Sequence, residues 1–133
     1  MQPFKATYFE RDHPGERYPA VDPLPSAEVA SLAGRLAPLI TRVHASEPLP
    51  GVDANPETFR LSEVWATAGI HPADELLLSF DAMQSIDAMR REDVERNFSD
   101  VWYPVSDNLF IFDGSASWLM FVHHDGFIYV VRD

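Results

Sequence analysis

The stretch "VWYPVSDNLFIFDGSASWLMFVHHDGFIYVVR", residues 101–132, decides the fold. Its apolar residues alternate with period two, and each short run stops at a polar turn. "VWYPV", "NLFIFDG", "SWLMFVHH" and "FIYVVR" read as successive strands, parted by Ser106-Asp107-Asn108, Asp113-Gly114-Ser115 and Asp125-Gly126. Asp-Gly between two such runs predicts a type I′ hairpin, because both central residues then need positive φ, which Asp tolerates and Gly adopts freely. His124 would face Phe127 beside that turn. His123 and His124, as strand neighbours, would point to opposite faces. Alternation puts Trp118, Met120 and Val122 with His124 on one face, and Leu119 and Phe121 with His123 on the other. Both faces carry large apolar groups. One must pack on helices; the other is covered by the N-terminal arm or left as a binding surface.

Upstream the period is helical. Ser26 can cap a helix in which Val29, Leu32, Leu36, Leu39, Ile40 and Val43 recur on one side, and Pro38 predicts a kink or break near Ala37. Asn55, Pro56 and Glu57 punctuate the start of a second helix, whose face is Leu61, Val64, Trp65 and Ala68 and whose end is Gly69. "ELLLSF" reads as a buried strand. Asp81 and Gln84 have capping-box spacing, which predicts a third helix carrying Met83 and Ile86, with Met89 or Arg90 continuing the face. The polar run "RREDVERNFSD" extends it or becomes a loop. Nine of the eleven prolines precede residue 57, so residues 1–25 read as an extended Pro-rich arm with a short strand at Thr7-Tyr8-Phe9. The expected fold is a single α+β domain over 1–133, with N-terminal helices packed on one face of a C-terminal antiparallel β-sheet meander. Residues 26–100 are expected to be mainly helical with one strand, and 101–133 to be antiparallel strands.

Composition narrows the function. The apolar content of 46% is that of a globular chain, and the absence of cysteine removes disulfides, thiolate metal sites and cysteine nucleophiles. "MQPFKATYFERDHPGERYP" lacks the basic-then-apolar order of a secretory signal, and no apolar run reaches the ~18–20 residues of a membrane span. A cytoplasmic chain is expected. The net charge of −11 is uneven: residues 53–100 carry four Arg against eleven acids, while residues 1–52 are nearly balanced. Such a field repels nucleic acid and anionic lipid and attracts a basic partner, or serves solubility alone.

The histidines bear on catalysis and metal binding. Metal pairs need i, i+2 on a strand or i, i+4 on a helix, and His13, His44, His71, His123 and His124 offer neither spacing. No metal and no cofactor are therefore expected. His123 or His124 beside Asp125 or Asp107 can act as a general base, or either can be a half-exposed hairpin histidine. No nucleophile-elbow or phosphate-loop pattern occurs, and Ser115 sits in a turn where its hydroxyl bonds local backbone.

The layout also resembles a known family. A helix ending in Trp65-Ala66-Thr67-Ala68-Gly69 leads to a strand around Leu76-Leu77-Leu78, then an acidic helix, then Trp102-Tyr103-Pro104, then a hairpin-rich carboxyl end with Gly126-Phe127-Ile128-Tyr129. Over roughly residues 25–132 this is similar to the SUKH superfamily and related small immunity proteins of bacterial polymorphic-toxin systems. Ala68 stands where that family often has asparagine, and Asp107-Asn108 stands near its glycine-rich turn. The resemblance implies a non-enzymatic inhibitor that binds a cognate toxin, often a basic nuclease. The expected contact residues are Asp74, Glu75, Asp81, Asp87, Glu92, Asp93, Glu95 and Asp100 for steering, with Trp102 and Trp118 as anchors. A small enzyme using His123 or His124, and an acidic regulatory adaptor or nucleic-acid mimic, are the alternatives.

Overall fold

Eleven elements follow one another in the computed structural model, which describes residues 1–133. They are α1 (Phe4–Asp12), β1 (Asp22–Pro23), α2 (Ser26–His44), α3 (Leu61–Ala68), β2 (Glu75–Ser79), β3 (Asp87–Arg90), α4 (Arg91–Arg96), α5 (Phe98–Val101), β4 (Leu109–Phe112), β5 (Trp118–Val122) and β6 (Ile128–Arg132). The strands form one sheet in the order β1-β3-β2-β4-β5-β6, and every neighbouring pair is antiparallel. The class is α+β, as the period change at residue 101 implies. No helix is long and apolar enough to cross a membrane.

Strand alternation divides the core in two. Phe110, Phe112, Leu119 and Val131 pack against Val29, Leu32, Leu36, Leu39 and Val43 of α2 on one face. Ile111, Trp118, Met120, Val122 and Ile128 pack on the other face against Leu61, Val64 and Trp65 of α3, Val94 of α4 and Phe98 of α5. That second face is sealed mainly by helices α3 to α5, and Met1, Tyr18 and Val21 of the N-terminal segment pack against the same cluster. Each large apolar side chain so buried contributes ~1.5–3 kcal/mol, so neither face of the sheet is left to a partner.

Several local expectations are overturned. Residues 4–12, read as extended arm and strand, are helical. The inward face of α1 is Lys5 and Phe9, while Phe4 and Tyr8 face out. The Lys5 ammonium is held by Asp107 Oδ2 and Val101 O, both at 2.7 Å, and lies 3.8 Å from the centre of the Phe80 ring. Helix α2 begins at Ser26 without a side-chain cap and runs through Pro38 to His44 unbroken. Pro38 and Gly34, whose carbonyl would have bonded to residue 38, are both exposed, so water can serve that carbonyl. Asn55-Pro56 lies in a turn, and α3 starts only at Leu61. Gly69 does end α3, at φ 68°.

Asp81 does not open a helix. Its carboxylate accepts from the Ser79 hydroxyl at 3.0 Å and the Ser85 N–H at 2.9 Å, and Ser79 Oγ accepts the Met83 N–H at 2.9 Å. Ala82 and Met83 both have positive φ, 56° and 70°, and Gln84 N–H bonds back to Asp81 O. This is the type I′ geometry, joining β2 to β3. Residues 87–90 are consequently a second strand in the 26–100 region. Residues 101–105, read as the strand "VWYPV", are instead the end of α5 and the turn that follows.

Candidate functional site

The β5–β6 hairpin closes differently from the Asp-Gly expectation. Gly126 N–H bonds to His123 O at 2.8 Å, and His123 N–H bonds to Phe127 O at 2.9 Å. Gly126 alone takes positive φ, 100°, while His124 and Asp125 do not. The loop is a turn followed by a left-handed glycine, so His123, not His124, faces Phe127. Glycine is required twice over at 126, because a Cβ there would also drive into the Asn55 and Asp53 side chains.

This closure brings together what strand alternation would have parted. His124 lies in the turn, and its ring centre is 4.0 Å from that of His123. Asn108 Oδ1 meets the His124 N–H at 2.9 Å and its Nδ1 at 3.0 Å, which leaves Nε2 facing Asp125 Oδ1 at 3.5 Å. His123 Nδ1 accepts the Asp125 N–H at 3.0 Å and lies 3.6 Å from Asp125 Oδ2. One donor atom from each of the three side chains lies within 4.8 Å of the others. The backbone beneath is pinned from two sides: Val105 N–H to His124 O at 2.8 Å, Asn55 Nδ2 to Asp125 O at 2.7 Å and Ala54 N–H to Gly126 O at 3.0 Å.

Beside this tip the surface is apolar. Val105 is 84% exposed, Phe127 51%, and Phe4 and Tyr8 42% each. Phe4 makes tilted ring contacts with Tyr8 and Tyr103, with ring centres 5.5 and 5.8 Å away, and Tyr103 lies two residues before Val105. Val105 has φ 75°, a region that a β-branched side chain enters at a cost of ~1–3 kcal/mol.

The acidic residues expected to steer a partner do not form one face. Asp74 pairs with Arg91 at 3.0 Å, Arg91 reaches Glu95 at 3.5 Å, and Arg90 pairs with Glu92. Glu75 sits opposite Arg90 in the β2–β3 register, and Asp93 is half-buried on α4. Asp81 is at the far end of that hairpin, engaged with its own turn, and Asp100 on α5 lies 3.7 Å from His13. Burial pushes the Asp100 carboxyl up, against the opposing pull of His13. Asp87, Trp102 and Trp118 are buried and offer a partner little surface. The indoles are instead structural: Trp102 Nε1 donates to Asp107 O at 2.9 Å and Trp118 Nε1 to Asp113 Oδ2 at 3.1 Å.

The surface grooves are shallow. Two of them, about 570 and 610 Å³, are lined by residues that include Asp113, Trp118 and Arg132 and by residues that include Phe59, Phe98 and Arg60. Neither is lined by His123 or His124. Compared with protein-family models, with curated proteins and with solved structures, the chain matches none.

Proposed function

We propose that this protein works by binding: it is a cytoplasmic immunity-type inhibitor that occludes a basic toxin domain and turns over no substrate. The contact surface is the outer face of α1, the Tyr103-Pro104-Val105 turn and Phe127 of the hairpin. One observation carries this reading. Val105 places a β-branched apolar side chain at positive φ almost wholly in water, a conformation that costs the fold and gives it no packing in return. A partner that covers Val105 recovers that cost. The net charge of −11 favours a basic partner and speeds encounter with it. The nucleic-acid-mimic reading is weaker, since the acids of residues 74–95 alternate with Arg90 and Arg91.

A general-base role for His124 is the second reading, motivated by the orienting Asn108 bond. It lacks an enclosing cleft.

The test pairs the protein with the domain encoded by the reading frame adjacent to its gene. Titration calorimetry and growth rescue should show tight neutralisation, and Phe127→Asp should weaken it at least tenfold. Val105→Gly should weaken binding yet raise the stability of the free protein, because glycine relieves the backbone strain. Failure to neutralise, or full binding by both variants, overturns the reading.

A further inference from the structure

We propose that the tip of the β5–β6 hairpin is a binding site for a divalent transition-metal ion of the zinc class, held by His124, Asp125 and His123. A tetrahedral ion with bonds of ~2.0–2.1 Å sets its donor atoms roughly 3.3–3.4 Å apart. His124 Nε2 and Asp125 Oδ1 are 3.5 Å apart, and His123 Nδ1 and Asp125 Oδ2 are 3.6 Å apart. Each imidazole thus already lies near bound distance from the Asp125 carboxylate, His124 beside Oδ1 and His123 beside Oδ2. One donor atom from each of the three residues lies within 4.8 Å of the others, so rotation of the carboxylate and a shift of the two neighbouring rings bring one oxygen and two nitrogens onto an ion.

The surroundings suit ligation as well as the distances do. Metal-bearing histidines commonly donate their second ring N–H to a carbonyl or carboxylate, which fixes the tautomer and the ring plane. Asn108 Oδ1 does this for His124: it receives Nδ1–H and leaves the Nε2 lone pair for an ion. Three bonds to backbone carbonyls, from the Val105 and Ala54 N–H groups and the Asn55 side-chain amide, hold the turn that carries the ligands, so little ordering is left for the binding step. One bond must yield. The Asp125 N–H now given to His123 Nδ1 is released to water when that nitrogen takes the ion.

The donor set selects the metal. Two imidazoles and one carboxylate favour borderline ions such as Zn²⁺, Ni²⁺ and Co²⁺ over Mg²⁺ and Ca²⁺, which want more oxygens. Both histidines are half-buried and Asp125 is exposed, so the ion's remaining position opens to water or to a ligand from outside. The site does not depend on the toxin-binding reading, and no partner is needed to test it.

The experiment is calorimetric titration of the chelator-stripped protein with Zn²⁺, repeated with Co²⁺ to read the visible absorption of a tetrahedral site. Binding of one ion per chain is expected, weakened at least tenfold by His124→Gln, by His123→Gln and by Asp125→Asn. Asn108→Leu, which touches no ion, should weaken it about 10–100-fold by freeing the His124 ring. His71→Gln and His44→Gln should bind as wild type. Circular dichroism of each variant confirms folding. Absence of saturable Zn²⁺ binding, or binding that survives in a folded His123→Gln/His124→Gln double variant, overturns the proposal.

Discussion

The Lys5 ammonium lies 2.7 Å from the Asp107 carboxylate, with both side chains sealed from water and 102 positions of sequence between them. This one pair ties α1 to the start of β4. Asp107 also accepts the Tyr103 N–H at 2.8 Å, and its carbonyl receives the Trp102 indole. Burial pushes the Lys5 amine below its ordinary value, and the Asp107 bond pulls the other way. A buried pair is costly to break from one side, because the survivor is left charged without a counter-ion. Asp107→Asn should therefore lose ~3–5 kcal/mol in urea unfolding. Lys5→Met/Asp107→Asn should recover part of that loss. A single variant within ~1 kcal/mol of wild type would show that the pair is not desolvated in solution.

Asp113 sets a limit on acid tolerance. Burial alone would raise its carboxyl, but bonds from Ser115, Ala73 N–H and Trp118 outweigh it and hold the group below 3.8. A depressed carboxyl contributes stability that is complete above its unfolded value and lost as pH falls through the folded one. Asp113→Asn should cost ~2 kcal/mol at neutral pH. The gap between the two proteins should close below pH ~4, not above it. Denaturant titrations of both proteins from neutral pH downward check this, and a gap that stays constant down to the lowest pH contradicts it.

Ala82 is exposed at φ 56° in the β2–β3 turn, where only glycine is free of strain. Left-handed backbone costs an L-residue ~1–2 kcal/mol, and glycine's extra unfolded-state freedom offsets part of the relief. Ala82→Gly should raise stability by ~0.5–1 kcal/mol. Met83, its partner in the turn, is buried against the α2 side of the core, so Met83→Gly should destabilise instead. Thermal unfolding of the two variants distinguishes these signs.

The sequence made the α2 stripe and strands β2, β4, β5 and β6 legible because their apolar spacing is long and regular. It concealed α1 because that helix inverts the usual polarity: lysine faces in, and Phe4 and Tyr8 face out. The helix-start signals at Asn55 and Asp81 were genuine hydrogen-bonding capacity spent elsewhere, on Asp125 O and on the Ser85 turn. The same holds for the candidate site. Alternation placed side chains correctly up to Val122, then failed at His124, where the chain leaves the strand. Val105 reads as the end of the run "VWYPV" and Asn108 as an ordinary turn residue, so neither stands out. Their importance comes from a backbone angle and one carbonyl oxygen, and neither is visible in residue type.

The outermost strand on one side, β1, is only two residues long, and Pro23 contributes no N–H. At the other margin, the segment after α2 lies along β6 through Leu49 N–H to Ile128 O, and Arg42 donates to Arg132 O. Neither border of the sheet presents a run of free donors and acceptors for another chain to zip onto. Strand addition is thus hindered at both ends, and a highly concentrated solution of this protein should stay free of fibrils.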